Sequence, residues 1–168
     1  MEQLKSLDSI IDSESRVIIL GTMPGSESLS KMQYYANAKN PFWDIVFAVF
    51  DSEPLATYED KVKFLKNKGI ALWDVLDTCS RKGSLDSEIK SEKANDFNGL
   101  FSRYNNLRLV VFNGTKAREL YDKHVRLYPG NIIFRQMPST SPTPGKYVKS
   151  LDEKIADWKV IREYVGND

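Results

Sequence analysis

The chain has a single cysteine, Cys79, and a single histidine, His124. One thiol excludes an intrachain disulfide and any cysteine-clustered zinc or iron–sulfur centre. One imidazole excludes a multi-histidine metal site, and any histidine-dependent triad would have to pass through His124. No apolar run approaches the roughly 18 residues that a membrane-spanning helix needs. The opening MEQLKSLDS lacks the basic-then-apolar layout of a secretory leader. A cytoplasmic location and no membrane partner are expected. Three catalytic signatures are also missing: the GxxxxGK[ST] phosphate loop, the GxGxxG dinucleotide turn and the GxSxG nucleophile elbow. Their absence speaks against an NTPase, a dinucleotide enzyme and a serine hydrolase.

What is present is the composition of an ordinary folded domain, with 41% hydrophobic and 28% charged residues over a length of 168. The formal net charge of +1 neither demands nor forbids nucleic acid, because a binding face needs local basic density rather than a large total. Four short apolar runs rich in Val, Ile, Leu and Phe predict buried strands: RVIILG from Arg16, GIALWDVL from Gly69, LRLVVFNG from Leu107 and NIIFRQM from Asn131. Patterns of helical period fill the gaps. NPFWDIVFAVF puts Phe42, Ile45, Val46 and Val49 on one face, Thr57 and Asp60 open a capped helix that Gly69 closes, and Ser150 with Glu153 forms a capping box. DFNGLFSRY and TKARELYDKHVRL complete the set. Strands alternating with helices predict one α/β/α domain over residues 1–168, with a central, mostly parallel four-stranded sheet.

Open sheets of this kind gather ligands at the carboxyl ends of their strands. The strand ends read GTMPG, WDVLDTCSRKGS, FNGTK and MPSTSPTPGK. In the last, prolines stiffen a loop whose hydroxyls and N–H groups suit phosphate oxygens, although a proline-rich surface turn reads the same way. In QYYANAKNPFW, Tyr34 and Tyr35 offer a stacking surface, and Asn40 before Pro41 has the pattern of a helix cap. Asp74 ends a strand, where it either reaches the site or caps a turn. Residues 81–84 are expected on solvated surface, with a phosphate contact as the alternative, and Cys79 is expected as a small buried thiol.

Taken together, GTMPGSESL, QYYANAKNPFW, GIALWDVLDTCSRKGSLDSEI, VVFNGTKA and MPSTSP resemble the uracil-DNA glycosylase superfamily, and within it the hypoxanthine-DNA glycosylases. The likeness runs from about Arg16 to Pro142. Two departures separate the chain from other branches: Met23 stands where relatives carry Asn or Asp, and Met137 where they often carry His or Asn.

The resemblance implies a monofunctional enzyme that cuts the N-glycosidic bond of a deaminated base in DNA, with no metal and no cofactor; a monomer is expected, although the sequence does not itself reveal oligomeric state. It assigns the hydrolytic role to Asn40. It assigns substrate contacts to Tyr35, Asn113, Thr22, Met23 and Gly25, and DNA contacts to Pro24, Ser139, Thr140, Ser141 and Pro142. Each has a plainer alternative: Asn40 as a cap, Tyr35 as core, Asn113 as the cap of the helix at Thr115. A uracil or mismatch-specific glycosylase, a lesion-binding module without catalysis, and a nucleoside hydrolase are the competing functions. Thr143 and its neighbours are candidates for the side chain that wedges into the vacated stack, and Lys39, Lys116 and Lys146 for phosphate contacts.

Overall fold

The computed structural model describes residues 3–142 and 149–165. Among these, the strands in chain order are β1 (Gln3–Lys5), β2 (Val17–Gly21), β3 (Ile70–Asp74), β4 (Leu76–Ser80), β5 (Lys90–Ala94), β6 (Leu109–Asn113) and β7 (Ile133–Met137). The helices are α1 (Ser26–Lys31), α2 (Phe42–Val49), α3 (Tyr58–Asn67), α4 (Phe97–Arg103), α5 (Thr115–His124) and α6 (Leu151–Trp158). Thr143, Pro144 and Lys146 lie outside the described residues. No helix among those described is long and apolar enough to cross a membrane.

The expected sheet is there: β3-β2-β6-β7, every pair parallel. The runs of β2, β3 and β6 are apolar up to their last residue because both faces are covered. One face carries Val17, Ile19, Ile70, Leu72, Leu109 and Val111 against α2 and α6, with Phe42 and Trp158 fully buried between them. The other carries Ile18, Leu20, Ala71, Val110 and Phe112 against α4 and α5. The helix caps follow the sequence. Thr57 Oγ1 accepts from Asp60 N at 3.1 Å, and Ser150 with Glu153 makes the reciprocal capping box. Gly69 takes φ +76 where the chain reverses out of α3.

One expectation needs correction. GIALWDVL is not a single strand, and the segment after it is not simply loop. The run breaks at Val75, whose N–H still reaches Gly21 O at 2.8 Å. It then continues as β4 in a second, antiparallel sheet, β1-β4-β5. Asn95 clasps this bend, donating Nδ2 to Asp74 O and Leu76 O at 2.8 and 3.1 Å. The bend turns the chain away from the main sheet directly after Asp74, which makes that residue the last of its strand at the carboxyl edge.

Candidate active site

The parallel register sets out the site. On the α2 face, Val17, Ile19 and Gly21 of β2 lie beside Ile70, Leu72 and Asp74 of β3. Asn113 of β6 pairs with Met137 of β7. The last row of this face is therefore Asp74, Gly21, Asn113, Met137, two polar groups separated by a missing side chain. A Cβ on Gly21 would sit 2.6 Å from Asp74 Oδ1 and 3.4 Å from Tyr35 Oη. Glycine is required there because the two side chains close over it.

Tyr35 is held in an unusual way. Its φ of +53 is costly for a bulky side chain, and its neighbours over-determine it. Tyr34 N donates to Tyr58 Oη at 3.0 Å, Trp43 Nε1 donates to Tyr34 O at 3.1 Å, and Ala36 N donates to Ser28 Oγ at 3.1 Å. One face of the Tyr35 ring stacks on Phe42, with centroids 3.7 Å apart. The residue remains half-buried. Strain maintained by this many fixed contacts is a recurrent property of ligand clamps. Tyr34, by contrast, is buried and donates its hydroxyl to Asp8 O at 2.9 Å, so it offers no stacking surface.

Asn113 Nδ2 donates to Tyr35 Oη and to Thr140 Oγ1, each at 3.1 Å, while its Oδ1 accepts from Thr140 N at 2.9 Å. The amide thus ties β6, the tyrosine and the loop after β7 together. It does not cap α5, whose N-cap Gly114 makes no side-chain cap bond. Gly114 itself is demanded by φ +99 and by Ser139, whose Cβ lies 3.0 Å from where a Cβ would stand. Thr140 is fully buried with both its N–H and its hydroxyl engaged by Asn113. That corrects the phosphate-gripping role expected of it. Ser139 and Pro142 are exposed on the same loop, and Ser141 is half-buried with its N–H on Ser139 Oγ.

Asn40 stands at the entrance to α2, its Oδ1 accepting from Phe42 N at 3.0 Å. This is a local side-chain turn just before the helix. The N-cap of α2 is Pro41, with no side-chain cap bond, so the expected pairing of Asn40 as cap and Pro41 as first helical residue is shifted by one. Asn40 also lines a cleft of about 350 Å³ together with Tyr35, Asn37, Trp43, Asp44 and Tyr58, a volume within the range of small-ligand sites. In the first turn, Thr22, Met23 and Pro24 are buried. Met23 packs with Ile18 and Leu20 on the opposite face of the sheet. Its side chain belongs to the core, which corrects the substrate contact expected of it, so the turn faces solvent with backbone around Gly25.

Two charged residues proved more buried than their sequence context indicates. Arg81 is 6% exposed, with Nη2 donating to Pro24 O at 2.7 Å and Nε to Gly83 O at 2.8 Å. It is a brace for the turn, not solvated surface. Asp74 is 5% exposed, and its Oδ2 has no hydrogen-bond partner. Burial, joined by the like charge of Asp86, pushes its carboxyl up to about 7, with Arg81 pulling weakly the other way. The sequence signal for Asp74 was its place at a strand end. Its isolation depends on the bend at Val75, which no local pattern announces.

The family model of the uracil DNA glycosylase superfamily matches residues 9–162. The chain is 43% identical over 158 residues to a hypoxanthine DNA glycosylase of Methanosarcina acetivorans, covering 94% of this chain and 96% of that protein. It is 37% identical over 111 residues to a hypoxanthine DNA glycosylase of Methanosarcina barkeri, covering 66% and 70%. A solution NMR structure of a Methanosarcina acetivorans protein described as a uracil DNA glycosylase superposes with a TM-score of 0.81 at 34% identity, covering 96% of this chain and 97% of that one.

Proposed function

The chain belongs to the uracil DNA glycosylase superfamily, and we propose that it is a monofunctional DNA glycosylase that hydrolyses the N-glycosidic bond of a deaminated base. Hypoxanthine is the preferred base and uracil the second, and the reaction begins base-excision repair. The substrate assignment draws on the relatives named hypoxanthine DNA glycosylase. The observation that carries the mechanism is that Asn40 and the strained Tyr35 line one cleft. In this reading residues 1–168 act as one domain, as a cytoplasmic monomer.

A base inside a duplex must first be flipped out, at a cost of a few kcal/mol that is smaller when the base is mispaired. Tyr35 has one ring face committed to Phe42, so only the other can receive the base. Asn40 cannot act as a general base, because an amide does not usefully accept a proton at neutral pH. Its carbonyl oxygen has two lone pairs, and Phe42 N uses one. The second can accept from a water and face the positive charge that grows on the deoxyribose as the bond lengthens. That is positioning plus electrostatic stabilisation. Gly25, Ser139, Ser141 and Pro142 are the backbone-gripping edge, where N–H groups and hydroxyls meet phosphates.

The test is base release from labelled duplexes carrying hypoxanthine, uracil or no lesion, by wild type and Asn40→Ala, with abasic sites revealed by alkaline cleavage. Hypoxanthine release that Asn40→Ala loses while remaining folded is the expected result. Uracil release alone would overturn the substrate. Lesion binding with no release from any duplex would overturn catalysis in favour of a sensor.

A further inference from the structure

Asp74 is a buried acid, and among the described residues no side-chain hydrogen bond is found for its Oδ2. The fold uses its backbone, through Asn95 and the pairing with Gly21, while Oδ2 is left without a partner. Arg81, a cation acting on it, gives Nε to Gly83 O and Nη2 to Pro24 O, its Nη1 being left without a partner, and it makes no hydrogen bond to Asp74. Buried polar groups are almost always satisfied, and an exception calls for a partner that arrives later. The geometry says where it would arrive. Asp74 closes one end of the row whose gap is Gly21, and Tyr35 Oη lies across that gap.

We propose that Asp74 touches the flipped base as a hydrogen-bond donor: its neutral carboxyl gives its O–H to the carbonyl oxygen of the deaminated base, and its C=O accepts from the adjacent ring N–H. This rests on the glycosylase reading above and adds a catalytic residue to it. Hypoxanthine and uracil both present such a carbonyl beside a ring N–H. When the glycosidic bond breaks, its electron pair leaves with the base, water oxygen bonds to the sugar carbon, and the surplus water proton passes to the departing base anion or to solvent. Negative charge then spreads onto the base carbonyl, where an O–H donor stabilises it. No proton need leave Asp74.

The surroundings keep the carboxyl neutral. Asp86, on the 3-10 turn Asp86–Glu88, is a like charge facing it. Tyr34 and Tyr35 are phenols whose own titration is pushed upward by burial and by Asp74, so they bring no charge near neutral pH. Arg81 opposes Asp86, and Lys116 acts on Asp86 rather than on Asp74. Because a carboxylate would set negative charge against the base carbonyl, activity is present with the proton on and lost as pH rises through about 7.

The experiment is single-turnover release of hypoxanthine from duplex DNA between about pH 5.5 and 9, for wild type, Asp74→Asn and Asp74→Ala. Wild type is expected to lose about tenfold per pH unit on the alkaline side. Asp74→Asn, an amide donor of similar shape that does not titrate, should keep measurable release with that fall abolished. Asp74→Ala should lose about thirtyfold or more at the acid end and show no alkaline fall. An unchanged alkaline fall in Asp74→Asn, or a wild-type rate in Asp74→Ala, would overturn the role of Asp74 and leave the glycosylase reading intact. No release by wild type at any pH would overturn that reading and this one with it.

Discussion

Asp74 and Glu92 lie in two regions that treat a carboxylate in opposite ways. Glu92 on β5 sits 3.0 Å from Lys123 Nζ and 3.2 Å from His124 Nε2, beside a shallow cleft of about 380 Å³ that also includes Asn95 and Phe97. The Lys123 hydrogen bond, helped by a backbone N–H and by His124, holds its carboxyl down at about 2. Asp74 has burial and a like charge instead, and is pushed up to about 7. The first carboxylate is partnered within the fold and returns a little stability. The second has an unpartnered oxygen at the end of a strand, directly before the chain turns away, and it costs stability whenever it ionises. A group the fold pays to keep unpartnered is the better guide to chemistry.

The largest expected effect comes from removing the proposed catalyst, Asn40. Asn40→Ala should lower hypoxanthine release on the order of 10²–10³-fold, the scale seen when one preorganised polar group is deleted. It also removes the acceptor of Phe42 N, so unfolding stability should fall by about 1 kcal/mol. Asn40→Asp retains that acceptor and should recover the stability without recovering the rate. A rate loss in Asn40→Ala no larger than its stability loss would reduce Asn40 to a turn residue at the helix entrance.

Gly21 comes next. Gly21→Ala forces a Cβ to 2.6 Å from Asp74 Oδ1 on a strand buried along its whole length, and should destabilise by about 1–3 kcal/mol in denaturant unfolding. Gly130→Ala meets nothing within 4 Å and should stay within about 0.5 kcal/mol of wild type. Equal effects of the two would mean that the last row of the sheet is not the crowded place described.

Much of this was legible in the sequence for a physical reason. β2, β3 and β6 are covered on both faces, so continuous Val, Ile and Leu runs announce them, and Thr57, Gly69, Ser150 and Glu153 act within one turn of their own helices. β5 could not be read that way. Lys90–Ala94 is KSEKA with an exposed or half-buried pattern, and it becomes a strand through backbone pairing with β4 rather than through apolar side chains. The site divides similarly. Asn40 and Tyr35 stand in a segment whose order resembles known glycosylases. That Asn113 spends its amide on Tyr35 and Thr140, that Met23 points into the opposite core, and that Arg81 is a buried brace all depend on contacts between segments far apart in the chain. No periodicity encodes them.

Asp74→Asn should have an effect of similar size but of opposite sign to most substitutions. The folded carboxyl titrates near 7 against about 3.9 unfolded, so the fold binds the proton more tightly than the unfolded chain. Its contribution is fully present below about pH 4 and is lost as pH rises through 7. A neutral amide has no such loss. The variant should therefore be more stable than wild type at pH 8, on the order of 1–3 kcal/mol, with the gain shrinking towards pH 5. Urea unfolding at the two pH values measures it, and a gain that does not depend on pH would place its cause elsewhere.

The partnered region yields the smallest effect and the reverse sign. The folded carboxyl of Glu92 titrates at about 2, below its unfolded value of about 4.3, so its contribution is present above that value and lost as pH falls towards 2. Lys123 is 64% exposed on its side chain, so water and salt screen the pair, and Glu92→Gln should cost only about 0.2–1 kcal/mol at pH 7. The cost should shrink in high salt, because the Debye length drops to about 3 Å at 1 M, and base release should not change. A Glu92→Gln variant that lost release while keeping its stability would move functional weight to the β5–α5 cleft. The contrast between a carboxylate held by the fold and one held for the substrate would then fail at its partnered end.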